Sequence, residues 1–269
     1  MPTDVPPLPE RLLILAGTYT RHNDALAANG PTPVPGLQAD IPATERLTEA
    51  VLSMIDAVRS QPLVRTLDVR DVEIRLRQLA FLTSAAADHL LDAREITDAA
   101  RAESPDNTDP YHSSLRARTD AARQVQMAFE LTALGPVTSA EAAEALATAM
   151  RRQRLDFASA GRQFNLSPAQ HTALRAVARG HVEIYEAAGR HYASSHDDRL
   201  LLTTLRSLES KQLIQYEDRP GSTNRHRAHL TVTGRQTLAA GYGLPQPNGP
   251  RTQAAPKPAA TATSPARTR

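Results

Sequence analysis

Apolar residues recur along most of this chain at helical spacing, and the pattern changes only towards the C-terminus. In residues 68–102, Val72, Leu76, Leu79, Ala86 and Leu90 fall on one stripe, which predicts a long helix with one buried face. The same period predicts helices over 44–60, 115–134 and 138–160. The last of these opens on Thr138 with Glu141 three residues later, the spacing of a capping box. Breaks at Ser104–Pro110 and Gly135-Pro136 separate the segments, and connections of this kind favour antiparallel neighbours in a helical bundle.

From Asn165 onward the elements shorten. Ser167 followed by Pro168 and Gln170 predicts a capped helix start, and the helix HTALRAVAR should stop at Gly180, a residue suited to a left-handed C-terminal position. The stretch HVEIYEAAGRHYASS (181–195) contains two β-leaning runs around Ala187-Ala188-Gly189 and reads as a hairpin. A short helix over Glu183–Tyr192 is the alternative, because Glu and Ala favour one. LIQYE and HRAHLTV then form two β-prone runs around the turn-rich RPGSTN, and Thr231 caps a last helix, GRQTLAAG.

Between the two hairpins lies an amphipathic helix after His196-Asp197-Asp198, whose acids suit a helix N-terminus. At 100° per residue, Leu201, Leu205 and Leu208 cluster within about 60° of the direction opposite Arg199. Arg199, Thr203, Arg206 and Ser210 share the other face. Guanidinium and hydroxyl groups on one helix face are donors for phosphates and base edges in a major groove. An ordinary solvated face has the same appearance. The hairpin that follows adds Arg219, Arg225 and Arg227, with His226, at or near its tip, where cations can reach an adjacent phosphate strand.

Composition narrows the picture. Apolar residues make up 41% of the 269 positions but aromatics only 4%, so the core must be built from Leu, Ala, Val and Ile. The chain has no cysteine, which removes disulfides, thiolate metal sites and cysteine nucleophiles and fits a reducing cytoplasm. The apolar run LLILAG is too short to span a bilayer and lacks the flanks of a secretion signal. A net charge of +2 conceals an asymmetry: residues 1–104 carry fifteen acidic and ten basic side chains, whereas Arg251, Lys257, Arg267 and Arg269 stand in a tail without acids. Base concentrated at the back of a chain points to a polyanion there.

The phrase Leu208-Glu209-Ser210-Lys211-Gln212-Leu213-Ile214, the arginine-bearing hairpin and Leu230-Thr231-Val232-Thr233-Gly234-Arg235 together resemble the second half of a winged helix-turn-helix domain of the MarR type. Gln212 stands where that family usually has Gly. The resemblance covers 167–241 and implies double-stranded DNA binding by a bacterial transcriptional regulator. The face of Arg199, Thr203, Arg206 and Ser210 would read the duplex, with Arg219, Arg225 and Arg227 on the wing. The family has a short helix before its reading helix, where this chain has 181–195.

The fold expected is mainly α. A bundle over 44–163, able to form a homodimer, precedes a winged-helix domain over 164–243 with a small antiparallel sheet. A Pro-punctuated arm over 1–43, in which 11–28 can form one helix, and a disordered basic tail over 244–269 flank them. A winged-helix protein-interaction adaptor and a plasmid- or phage-type accessory DNA-binding factor fit the same pattern. No cofactor or metal is expected: His171, His181, His191 and His196 lack the i, i+3 or i, i+4 pairing of zinc motifs. Ser195, His196 and Asp197 are consecutive rather than convergent, and no phosphate-cradling glycine loop is present, so no enzyme is expected.

Overall fold

The computed structural model describes residues 5–28, 36–103, 110–153, 155, 164–187, 189–195 and 200–244. Five long helices come first: α1 (Leu8–Ala28), α2 (Leu37–Arg59), α3 (Leu67–Glu103), α4 (Pro110–Thr132) and α5 (Gly135–Arg152). A smaller part follows, in the order α6 (Pro168–Ala178), β1 (Val182–Ala187), β2 (Arg190–Ser195), α7 (Leu202–Ser210), β3 (Ile214–Asp218), β4 (Arg225–Leu230) and α8 (Val232–Gly241). The architecture is a helical bundle with a small antiparallel sheet near the C-terminus, and the stripe Val72, Leu76, Leu79, Ala86 and Leu90 is buried throughout.

The N-terminal region is not an arm. Residues 8–28 form the helix that the sequence allowed, and Leu12, Leu13, Ala16 and Tyr19 of α1 are buried in the main core. Tyr19 is the pivot. Its ring lies against Gly135, where a Cβ would come within 2.2 Å of Cδ1, and its hydroxyl pairs with Thr83 at 2.6 Å. That contact fixes where α5 begins. The helix starts at Gly135, with Pro136 in the first turn where its missing N–H costs nothing, and not at Thr138. Thr138 is therefore inside the helix, and the capping box expected with Glu141 does not form. Likewise α2 begins at Leu37, earlier than residue 44, and carries Pro42 within its first turns.

One core runs from α1, α2, α3 and α5 into α6, α7, α8 and the sheet; a second joins the far halves of α3 and α4 to Leu26, Leu37 and Ile41. The helix expected over 138–160 ends at Arg152, with Gln153 as its C-cap, and Leu155 is already outside it. Residues 156–163 lie outside the described residues, as do 104–109 and 245–269, where the expected tail falls.

The smaller part follows its sequence signals closely. Ser167 accepts from the Gln170 N–H at 3.3 Å, and the Gln170 side chain accepts from the Ser167 N–H at 3.0 Å. Gly180 takes φ 74°, and Gly189 at φ 70° turns the β1–β2 hairpin. The hairpin, not the alternative helix, occupies 182–195. Strand order is β2-β1-β4-β3, every pair antiparallel. The register sets Glu183 opposite Arg227 and Arg227 opposite Glu217, with Ile184 opposite His226 in the next row. Because side chains alternate across a strand, one sheet face carries Glu183, Arg225, Arg227, Glu217 and His229, and the other carries Ile184, His226, Ala228 and Tyr216.

Two phrases quoted above acquire structural reasons. Thr231 caps α8 by accepting from the Gly234 N–H at 3.0 Å and donates to the Gln212 carbonyl at 2.6 Å. Gly234 passes so close to the Leu213 carbonyl that a Cβ would sit 1.9 Å from its oxygen. Gln212 adopts φ 57°, the only left-handed non-glycine residue described, at the position where the resembled family places Gly.

Candidate nucleic-acid interface

Helix α7 sorts its residues as the wheel requires. Leu205 and Leu208 are completely buried, whereas Thr203, Arg206 and Ser210 are exposed. Arg199 lies outside the described residues. Leu201 departs from expectation. It precedes the helix in extended conformation, as N-cap, and is 67% exposed, because the first helical turn begins only at Leu202. The polar face of α7 is thus three described side chains long, with Ser210 donating to the Ser207 carbonyl at 3.0 Å.

Beside this face, α7 and the inner surface of the sheet enclose a cleft of about 320 Å³, lined by Ile184, His191, Leu202, Arg206, Glu209, Tyr216 and His226. The Tyr216 hydroxyl is buried without a hydrogen-bond partner, and burial together with the Glu209 charge pushes its pKa up to about 12. His226 is held by Asp218 at 2.8 Å. The β1–β2 hairpin flanks α7 and presents Arg190, His191 and Tyr192 to solvent, with Tyr192 stacked on Tyr185 at 5.5 Å.

The arginines of the β3–β4 hairpin have a different role from the one expected. Arg219 opens the connecting loop 219–224 and Arg225 is the first residue of β4, at or near the tip as expected, while Arg227 lies two residues further down β4; Arg225 and Arg227 are on the sheet face that meets α1. Arg227 Nε and Nη2 donate to the two carboxylate oxygens of Asp24 at 2.9 and 2.6 Å, Nη1 donates to the Gly180 carbonyl at 2.8 Å, and Nη2 also reaches Glu183 at 2.8 Å. Burial opposes this charge, but the Asp24 hydrogen bonds and the fields of Asp24 and Glu183 outweigh it and raise the Arg227 pKa. Arg219 bridges Glu183 at 2.8 Å and Asp24 at 3.4 Å. Arg225, 3.5 Å from Glu183, is the most exposed of the three.

From the other side, Arg21 of α1 makes a bidentate pair with Glu217 at 2.7 and 2.6 Å. That pair lowers the Glu217 carboxyl to about 2. His229, beside Glu217, is driven down to about 4, chiefly by burial and then by Arg21. Even the hairpin tip rests on α1, with Gly221 close enough to Ala28 that a Cβ would lie 3.3 Å away. This charged seam bolts the sheet to the first helix. Sequence reading found its arginines and missed Arg21, Asp24, Glu183 and Glu217, because no local pattern announces a partner tens to two hundred residues away.

The structure thus brings Thr203, Arg206 and Ser210 together on one open face, leaves Arg225 partly accessible, and withdraws Arg219 and Arg227 into ion pairs. Among the described residues no three His, Asp or Glu side chains gather as metal ligands, and no helix is long and apolar enough to cross a membrane. No protein-family model, curated protein or solved structure matches this chain.

Proposed function

We propose that this chain binds duplex DNA as a winged-helix transcriptional regulator, with α7 entering the major groove. The observation that carries the reading is the polarity of α7: Leu205 and Leu208 anchor it completely while Thr203, Arg206 and Ser210 stand outward beside a cleft containing Arg206. The connection supports it. A helix, a strand, a second helix and a hairpin, with β4 between β1 and β3, is the order of a winged helix whose middle helix is replaced by β2. Arg190 and Arg225 are exposed cations of the two hairpins, both on the sheet face away from α7, and supply charge at the edges of the domain rather than beside the helix.

The test is binding of the full chain to a randomised duplex pool by fluorescence anisotropy across a salt series. Arg206→Ala should weaken binding and relax the selected sequence. Arg225→Ala should weaken all sequences alike and reduce the salt slope by about one. A full chain with Arg251, Lys257, Arg267 and Arg269 changed to Gln separates the tail's nonspecific contribution. Binding that vanishes with the tail charges and is indifferent to Arg206 would refute the proposal.

One observation favours a second reading, a winged helix that docks a protein. With Arg219 and Arg227 committed to Asp24 and Glu183, the wing offers fewer free cations than a phosphate-gripping hairpin needs. Partner capture that is insensitive to salt, without retention of DNA at low salt, is its signature.

A further inference from the structure

The cleft between α7 and the sheet takes one side chain from every strand. His191 of β2, Ile184 of β1, His226 of β4 and Tyr216 of β3 line it in the order of the sheet, and Leu202, Arg206 and Glu209 close it from α7. The three α7 residues are spaced i, i+4 and i+7, so one edge of the helix faces the cleft. Its volume of about 320 Å³ lies at the small end of small-molecule sites, which run from roughly 300 to 1,000 Å³.

Two features of the lining ask for a ligand. The Tyr216 hydroxyl is buried with no protein partner, an unfavourable state that folded chains keep where something else completes the bond. Arg206 and Glu209, one turn apart and of opposite sign, are joined neither to each other nor to any other charged side chain among the described residues. Both act on that hydroxyl. Burial raises its pKa first, the Glu209 carboxylate adds to the rise, and the Arg206 guanidinium opposes it. A donor, a cation and an anion thus converge beside an apolar lining of Ile184, Leu202 and the Tyr216 ring.

The presence of both signs selects the ligand. A simple carboxylate suits Arg206 and Tyr216 but meets Glu209; a simple amine suits Glu209 but meets Arg206. A molecule that carries carboxylate and ammonium on one carbon satisfies both with charge-assisted hydrogen bonds. The apolar lining and the small volume require a hydrocarbon or aromatic side chain on that same carbon.

We propose that this cleft binds a free α-amino acid with an apolar side chain. Arg206 and the Tyr216 hydroxyl donate to its carboxylate, Glu209 accepts from its ammonium group, and Ile184 and Leu202 hold its side chain. A ligand seated there engages the one guanidinium on the described length of α7 and so competes with a phosphate or base for it. The site itself does not depend on the DNA-binding reading, and it is tested on the protein alone, so either can fail without the other.

Equilibrium dialysis of the full chain, without DNA, against radiolabelled L-valine, L-leucine, L-isoleucine, L-methionine and L-phenylalanine is the test. At least one should be retained with a dissociation constant below about 1 mM. For that amino acid, the acid lacking the amine and the amine lacking the acid should each compete about tenfold more weakly or worse. Arg206→Gln and Glu209→Gln, both on an exposed helix face, should each weaken binding by about tenfold. Tyr216→Phe should weaken binding by about fivefold or more and yet leave the unliganded chain at least as resistant to urea as the parent, because it removes a buried donor that has no partner. That pairing of effects separates a ligand contact from a structural hydroxyl. No retention of any of the five at about 10 mM, single-charge analogues that compete as well as the amino acid, or a Tyr216→Phe chain that binds like the parent would each overturn the proposal. So would a Tyr216→Phe chain that unfolds more readily, since the hydroxyl would then already be served.

Discussion

Replacing Arg227 by Ala should unfold the protein more readily and act on any ligand only through the fold. In the native state Asp24 is 7% exposed and the Arg227 side chain 12%. Removing the guanidinium leaves a buried carboxylate whose nearest remaining cation is Arg219, 3.4 Å away, and takes a donor from the Gly180 carbonyl. Breaking one side of a buried pair costs about 3–5 kcal/mol. Arg219 keeps Asp24 partly compensated, so the lower figure, about 3 kcal/mol, is the expected loss, equivalent to roughly 6–12 °C in melting temperature for a chain of this size. Urea unfolding followed by circular dichroism measures it. Arg206→Ala, on an open helix face, is the control and should stay within about 0.5 kcal/mol of the parent. Asp24→Ala with Arg227→Ala should cost less than the two single changes together, with about 2 kcal/mol of coupling. If Arg227→Ala unfolded like Arg206→Ala, the seam would not hold the sheet to α1, and the residue would be free to serve as a ligand contact after all.

Three further outcomes follow from the same structure. Gln212→Gly should stabilise the protein by about 0.5–1 kcal/mol in denaturant titration, because the relief of a left-handed φ of 57° exceeds the added chain entropy of glycine. Gly135→Ala should destabilise by roughly 2 kcal/mol or more, since the new methyl would meet the Tyr19 ring at 2.2 Å. Stability should fall as pH drops from about 6.5 towards 4: His22 and His229 have folded pKa values lowered to about 4, so the unfolded chain takes up protons first, at a cost on the order of 3 kcal/mol per histidine. His22→Gln combined with His229→Gln should flatten the pH dependence over that interval, and a dependence unchanged by the pair would contradict the assignment.

The α7 wheel, the Ser167–Gln170 cap and the Thr231 cap were legible because each is decided within a few residues. So was the α3 stripe, whose period is set by the helix itself. The start of α5 was not: a capping box at Thr138 is a sound local choice, but it loses to Tyr19, which requires a residue without a side chain at Gly135. The role of α1 was misread for a related reason. Its proline-rich flanks describe the connections and say nothing of how deeply Leu12, Ala16 and Tyr19 are buried. The wing arginines show the limit of charge counting. A cluster of cations in the sequence has the same spelling whether it faces solvent or Asp24, and only tertiary placement distinguishes them.

The Arg227–Asp24 pair joins residues 203 positions apart. On a ribosome, α1 must therefore wait, with Leu12, Ala16 and Tyr19 short of part of their final surroundings, until β4 has emerged about two hundred residues later. Closing so long a loop is slow compared with helix formation, and nascent chains caught in that interval expose the first helix to whatever binds apolar segments. The fold is tied shut by two elements far apart in sequence, and the knot is drawn only once β4 has been made.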